Sequence, residues 1–558
     1  MPLNILFVMF DQLRYDYLSC AGHPTLHTPN IDSLAERGVR FTESYVQSPI
    51  CGASRMSTYT GRYVNSHGAQ WNGVPLRVGE QTMGDHLRAA GMQCWLVGKT
   101  HMQADAEGMQ RLGLSPDSII GARQSECGFD VWCRDDGLWG QGTQGAYDNK
   151  RSPYNEYLKS RGYAGTNPWA DFANAGIKEG QTASGWFMMN SDQPANIREQ
   201  DSETPWLTSR AIDFIDHART DSAMGPWCCH VSYIKPHWPY IVPEPYSSMY
   251  GPEHVPPALR HQAERQNPHP VYERFMDSQV CRAFQQDEVR EKVIPAYMGL
   301  IKQADDQMGR LFDYLDSTGQ TNDTIVVITS DHGDYLGDHW MGEKDLFHAP
   351  SVKVPLIIAD PRSNADATRG TCCNALVESI DLCATFIEIA GGEIPTHIVE
   401  GRSLQPFING DTPASWRNAA FSEYDYSLLP IRSELGLASS DARLFMVTDG
   451  RWKLIHARGG FRPMLFDLQE DPHEFYDLGA SDEHKKIIAK MYDHLHHWSL
   501  RMAQRVTVSD TWEAFDQDPE ATGILVGIVK PEEVRSETAE LYNSKPVSNY
   551  VPQIPPKK

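Results

Sequence analysis

Residues 3–12 read Leu3-Asn4-Ile5-Leu6-Phe7-Val8-Met9-Phe10-Asp11-Gln12, and this order of apolar and acidic side chains decides the fold. From Leu3 to Phe10 only Asn4 is polar, too continuous a run for a strand with one wet face. Such a run suits a strand buried on both faces, as in a parallel sheet covered by helices. Similar runs recur at Cys94–Val97, Trp227–Tyr233, Thr324–Thr329 and Pro355–Ala359. Helical patterns fall between them. Ile31, Leu34 and Ala35 follow Pro29, and Leu300, Ala304, Met308, Leu311 and Leu315 repeat at helical spacing before Thr324. This alternation predicts an α/β domain with a mostly parallel central sheet sandwiched by helices.

Outward from that frame the pattern weakens. Residues 102–200 are rich in Gly, Asn, Asp and Ser and read as a loop-rich insertion into a catalytic domain spanning 1–410. Beyond it, Arg451–Ala457 and Met464–Leu468 read as a hairpin. Ile487, Ile488, Met491, Leu495 and Trp498 form one helical stripe, which gives a smaller α+β subdomain over 411–505. The remainder, 506–558, ends in a proline-rich run that reads as an arm packed on a neighbouring subunit, hence a homo-oligomer.

Composition bounds the partners. Among 558 residues, 50 Lys and Arg face 73 Asp and Glu, a net charge of −23 that disfavours nucleic acid and anionic membrane surfaces. The apolar start is too short to span a bilayer and lacks a basic flank or cleavage site. Eleven cysteines, with Cys228–Cys229 and Cys372–Cys373 adjacent and no C-x-x-C spacing, fit free thiols in a reducing compartment, so a cytoplasmic location is expected.

Two acids stand at telling places. Asp11-Gln12 follows the first strand, and Asp331-His332 follows Thr324–Thr329. Ligands of open α/β sheets bind beyond the carboxyl ends of strands, so the two pairs could converge on one divalent cation. Oxygen donors with one imidazole suit Mn²⁺ or Ca²⁺. Each acid alone fits a helix cap or turn equally well. The segment Cys51-Gly52-Ala53-Ser54-Arg55 opens a predicted helix, where an arginine and the helix terminus create a positive field. On this segment alone, an inert, half-buried cysteine is the simpler reading.

Further motifs change that balance. Gly98-Lys99-Thr100-His101 ends a strand, Lys235-Pro236-His237-Trp238-Pro239 follows another, and Ser330-Asp331-His332-Gly333-Asp334 leads to Asp338-His339 and Lys344. Asp449-Gly450-Arg451-Trp452-Lys453-Leu454, Leu465-Phe466-Asp467-Leu468 and Asp471-Pro472-His473-Glu474 close the series. With these motifs in order over about residues 3–500, the chain resembles the type I sulfatases of the alkaline phosphatase superfamily. Asp11-Gln12 and Asp331-His332 replace the family's commoner Asp-Asp and Asp-Asn, and are similar to its phosphonate monoester hydrolase branch. The Lys99 and His101 retained here are more typical of sulfatases. Ala53 stands where proline is commoner.

The resemblance implies an alkaline-phosphatase-like fold and a hydrolase of small sulfate monoesters of the arylsulfatase type. The alternative is a phosphonate monoester or phosphodiester hydrolase with the same nucleophile and promiscuous sulfatase activity. It implies that a maturation enzyme converts Cys51 to formylglycine, whose hydrate attacks sulfur. It implies one divalent metal ion, Mn²⁺ or Ca²⁺, held by Asp11, Gln12, residue 51, Asp331 and His332. Arg55 would polarise the diol, Lys99 and Lys344 would bind ester oxygens, and His237 with Lys344 would serve the leaving oxygen. His101 would take the proton that releases sulfate. Asn72 matches a substrate-contacting position of the hydrolase branch, although a turn residue reads the same way. A catalytically silent protein keeping the fold, and a metal-dependent phosphatase with an unmodified nucleophile, are the other classes considered.

Some features are weaker. Gly140-Gln141-Gly142-Thr143-Gln144-Gly145 matches a dinucleotide motif but lacks its strand and helix. His494, His496 and His497 read as a solvated helix face. His339 fits either support of the metal motif or a loop cap, and Trp71, Trp132 and Trp139 fit either an aromatic pocket or local packing.

Overall fold

In the computed structural model the strands are, in chain order, β1 (Asn4–Asp11), β2 (Val39–Tyr45), β3 (Gln93–Gly98), β4 (Asp130–Arg134), β5 (Ala175–Lys178), β6 (Gln181–Ser184), β7 (Trp227–Pro236), β8 (Thr324–Ser330), β9 (Leu356–Ala359), β10 (Thr371–Glu378), β11 (Ala420–Asp425), β12 (Arg443–Thr448), β13 (Trp452–Ala457) and β14 (Met464–Asp467). The residues described are 3–137, 152–221 and 223–501, with 503, 506–507 and 530–533 beyond them. The Gly140–Gly145 motif, Trp139 and most of 506–558 lie outside that set. Met1–Ile394 with Val399–Arg501 form one compact unit, and Pro395–Ile398 with Met502–Lys558 make up another.

The main sheet has the order β10-β2-β9-β8-β1-β7-β3-β4. Its pairings are parallel except those of β9, which runs against β8 and β2. β1 lies inside, with Phe10 opposite Ser330 on β8 and Asp11 opposite Pro236 on β7. Successive side chains of a strand point to opposite faces. Accordingly Leu6, Val8 and Phe10 pack with Leu207, Ala211 and Phe214 of the helix Glu203–Thr220 and Tyr297, Ile301 and Met308 of the helix Asp287–Ser317. Ile5, Phe7 and Met9 pack on the other side with Met56, Leu87 and Phe386, from the helices Cys51–Thr60, Met83–Ala89 and Asp381–Ile389. Both faces of β1 are dry, which is why its sequence lacks alternation.

The strands without such a run are the ones the sequence does not announce. β10 is largely exposed along its first half and β4 is only partly buried, as befits the two edges of the sheet. β4 arises within 102–200, where the helices Ala106–Arg111, Ile119–Ser125 and Pro153–Ser160 and the hairpin β5–β6 also lie. Further on, β11–β14 form an antiparallel meander that includes the expected β13–β14 pair. The helix Lys485–Ser499 covers it with Met491, Leu495 and Trp498, and Trp498 stacks on Phe421 at 5.1 Å. All eleven cysteines are free thiols. Among the described residues no helix is long and apolar enough to cross a membrane.

One glycine ties the sheet to its rim. Gly98 ends β3 at φ +110°, and a Cβ there would sit 2.1 Å from the Ser232 carbonyl oxygen. That carbonyl accepts the Lys99 backbone N–H at 3.1 Å. Gly98→Ala is therefore expected to lower stability by at least about 2 kcal/mol and to displace Lys99. A variant that melts at the wild-type temperature would contradict this contact.

Candidate active site

β8, β1, β7 and β3 are parallel neighbours, so their carboxyl ends open on one edge of the sheet. Each delivers a polar group just past its last apolar residue: Asp331 after β8, Asp11 and Gln12 at β1, Lys235 and His237 at β7, Lys99 and His101 after β3. The helix Cys51–Thr60 points its first turn at this edge, and all ten of its residues are buried. Gly52 donates its backbone N–H to Asn72 Oδ1 at 2.8 Å, so Asn72 caps that helix end.

Arg55 joins the parts. Its Nε lies 2.7 Å from Asp331 Oδ2 and its terminal nitrogens lie 3.2 Å from Asp11 Oδ2 and 2.7 Å from Ser232 Oγ, all without solvent exposure of the ion pairs. Lys99 Nζ sits 2.6 Å from Asp11 Oδ2. Burial favours the neutral acid at Asp11, yet Lys99 foremost, with Arg55, holds that carboxyl well below its usual range. Ser54 Oγ donates to the Asp331 carbonyl, and the Gln12 N–H donates to Asp331 Oδ1 at 3.1 Å, with Gln12 at φ +66°.

The sulfur of Cys51 marks the centre, 3.0 Å from His332 Nε2 and 3.9 Å from Asp11 Oδ1. One ligand atom each from Asp11, Cys51, Asp331 and His332 lies within 4.8 Å of the others. His332 Nδ1 is 2.8 Å from the Gly333 carbonyl, which only accepts, so Nδ1 carries the hydrogen and the Nε2 lone pair faces the cluster. Burial opposes the imidazolium form of His332, but Asp331 and the Cys51 sulfur outweigh it and raise its pKa to about 9. The negative charge that would hold a proton there would equally hold a cation, which takes the proton's place. Two carboxylates, one imidazole and residue 51 thus fit a divalent cation.

The outer wall is basic. Lys344 Nζ lies 3.2 Å from His237 Nε2 and 3.4 Å from Gln12 Oε1. His237 Nδ1 donates to the Trp238 carbonyl at 2.7 Å, leaving Nε2 to accept from Lys344. Burial first, then Lys344 and Lys99, push His237 well below the usual imidazole range. His101, at φ +57°, is also pushed down by burial and Lys99, and its buried Nδ1 has no hydrogen-bond partner among the described residues.

Several residues of this centre escaped pattern reading. Lys235 Nζ reaches Asn174 Oδ1 at 3.0 Å and the Pro239 carbonyl at 2.9 Å, pinning the loop that carries His237, and burial lowers its pKa to about 8. Tyr240, Asp334 and Ser232 also line the centre. Lys235 and Asp334 stand inside quoted motifs that gave them no role, and the advance signal of Tyr240 and Ser232 is proximity in sequence to a strand end.

Other candidates lie elsewhere. His339 belongs to a separate group with Glu264 and His348. Its ring stacks on His348 at 3.9 Å and 7°, and in-plane lone pairs of parallel rings do not meet on one ion. Trp71 packs near Tyr424, and Trp132 near Trp95 and Phe214. His496 and His497 are exposed and His494 half-buried on their helix.

Comparison with known proteins agrees with this geometry. The Sulfatase family model matches residues 3–392, and an N-sulphoglucosamine sulphohydrolase C-terminal model matches 337–501. The chain is 30% identical to the multifunctional alkaline phosphatase superfamily protein PehA of Trinickia caryophylli, over 90% of this chain and 96% of that protein. It is 28% identical to an arylsulfatase of Clostridium perfringens, covering 88% and 92% of the two chains. A phosphonate monoester hydrolase structure from Silicibacter pomeroyi superposes with a TM-score of 0.78 at 28% identity, over 90% and 96%. The Sulfatase model spans well over half of the sequence, and the chain belongs to the sulfatase family, the formylglycine- and metal-dependent sulfuric ester hydrolases of the alkaline phosphatase superfamily.

Proposed function

We propose that this protein hydrolyses small sulfate monoesters, aryl sulfates foremost, with residue 51 as the nucleophile and Asp11, Gln12, Asp331 and His332 as the protein ligands of one cation. The observation that supports it most is the pairing of Lys99, buried 2.6 Å from Asp11, with His101, whose buried Nδ1 is unpartnered among the described residues. A sulfatase needs fixed positive charge on ester oxygens and a base to finish turnover. An imidazole among the ligands favours Mn²⁺ over Ca²⁺.

When present, the cation and the hydrated formylglycine supply an acidified hydroxyl as nucleophile at neutral pH. The chain's own groups do the rest. Arg55 fixes Asp331 and Asp11, and Asp331 receives the proton of the attacking hydroxyl. Lys99 and Lys344 bind the non-bridging oxygens, where charge spreads in the transition state. His237, with Lys344 hydrogen-bonded to it, serves the leaving oxygen and offsets the charge that develops there. His101 takes the last proton, and Asn72 holds the first turn of the helix beside the substrate. Conversion of Cys51 to formylglycine by a maturation enzyme supplies the aldehyde. A cytoplasmic homo-oligomer, with 1–410, 411–505 and 506–558 as catalytic domain, subdomain and arm, completes the reading.

Gln12 and His332 favour a second reading, a phosphonate monoester or phosphodiester hydrolase, in keeping with the name of the Silicibacter structure. The deciding experiment compares an aryl sulfate with an aryl phosphonate monoester on protein whose residue-51 peptide has been weighed by mass spectrometry. A sulfate preference with an aldehyde at position 51 is expected. A phosphonate preference of several orders of magnitude would reverse the two readings, and an unmodified cysteine in fully active protein would remove the nucleophile.

Lys99→Ala and His101→Ala should each lower kcat on aryl sulfate by about 10²–10³-fold; His101→Ala should leave the melting temperature nearly unchanged, whereas Lys99→Ala strips the buried Asp11 of a partner and should lower it. Because burial and Lys99 depress the pKa of His101, the neutral base persists as pH falls through the ordinary imidazole value of ~6.5. The His101-dependent part of the kcat–pH profile should therefore have its acid limb below that value, and a limb above it would show that His101 is not the base.

A further inference from the structure

Gln12 is a neutral amide among charged groups, and an amide can enter such a site either way round. Its nitrogen has two hydrogens, and both are taken. Nε2 donates to Asp334 Oδ2 at 2.5 Å and to Tyr240 Oη at 3.0 Å. Tyr240 Oη lies 2.6 Å from the same Asp334 Oδ2. A carboxylate only accepts, so Tyr240 commits its proton to Asp334 and offers Gln12 a lone pair. Asp334 Oδ1 accepts from the Leu336 N–H at 2.9 Å. Each donor in the group meets an acceptor. On the far side, Gln12 Oε1 faces Lys344 Nζ at 3.4 Å, and an ammonium only donates.

Turning the amide over would set a carbonyl oxygen against the Asp334 carboxylate and an N–H against the Lys344 ammonium. Both contacts would be wrong, and Gln12, Asp334 and Tyr240 are 0%, 0% and 2% exposed, so solvent cannot relieve them. The backbone leaves no slack either, since Tyr297 Oη donates to the Gln12 carbonyl at 2.7 Å.

We propose that Asp334 and Tyr240 are positioning residues that lock the Gln12 amide with its carbonyl oxygen toward the cation and Lys344. On this view the Asp334 carboxylate is also what excludes an acid from position 12. The inference rests on the reading of Gln12 as a cation ligand. Replacing Gln12 by glutamate opposes two buried carboxylates, and replacing Asp334 by asparagine as well restores a donor against the new acceptor.

The test is calorimetric titration of Mn²⁺ into metal-stripped full-length protein, with no ester present, and melting temperatures of each apoprotein recorded in parallel. Gln12→Ala, Asp334→Asn and Tyr240→Phe should each weaken Mn²⁺ binding, by about 10–100-fold for the first two and less for the third. Gln12→Glu should bind poorly, and the Gln12→Glu/Asp334→Asn double variant should recover about tenfold or more of the loss. Rescue of one buried change by a second is not the behaviour of two independent structural defects. The lock is refuted if Asp334→Asn and Tyr240→Phe bind as wild type, or if the double variant binds no better than Gln12→Glu. Unchanged binding by Gln12→Ala would refute the ligand reading and the lock with it. Ester assays report separately on the proposed reaction and do not enter this test.

Discussion

The structure turns on the buried guanidinium of Arg55. It reaches Asp331 and Asp11 together, and neither ion pair meets solvent. Removing one partner of such a pair leaves a charge uncompensated in the interior, a cost of about 3–5 kcal/mol. The aspartates can share one arginine only because β1 and β8 are adjacent and in register, Phe10 beside Ser330. The arginine in turn reaches them from a helix whose ten residues are all buried. Strand register, helix docking and the position of residue 51 are therefore one constraint, and a change that shifts the sheet shifts the chemistry with it.

The site inverts the electrostatics of the molecule around it. A net charge of −23 describes a surface that repels extended polyanions. Inside, Arg55, Lys99 and Lys344 stand against Asp11 and Asp331, all five of them buried. Low dielectric strengthens each of these interactions, so three side chains can set the sign of a pocket against the rest of the chain. A small ester presents its charge to those groups alone, whereas a long polyanion also meets the acidic exterior.

Legibility in the sequence followed burial. β1, β3, β7 and β8 are interior strands, and two dry faces wrote continuous apolar runs that give their positions. β4 and β10 are edges and β2 mixes buried with half-buried residues, so their sequences carry no such run. Asp11, Asp331, Lys99 and His237 could be found because each sits just past an apolar run. Tyr240 could not, because what defines it is contact with Gln12 across 228 residues of chain, and Asp334, though quoted in a motif, gave no sign of its contact with Gln12 across 322 residues. Lys235 was visible as part of a motif, but its task of pinning the His237 loop depends on Asn174, which a segment without periodicity supplies.

Gln12 and His332 bear on how far one site can serve two chemistries. In the proposed site the cation would face two carboxylates, Asp11 and Asp331, with an amide and an imidazole beside them. Sulfate monoesters, phosphonate monoesters and phosphodiesters all carry a single negative charge at neutral pH. A pocket tuned by total charge therefore treats them alike, and discrimination has to come from the individual oxygens. A sulfate ester has three non-bridging oxygens to satisfy, and the other two esters have two. The third oxygen is where another fixed cation matters, and in the proposed function Lys99, anchored on Asp11, is the cation that would meet it. On the proposed reading, preference between the esters rests on one lysine and its anchor more than on the metal ligands, so one fold can carry either preference.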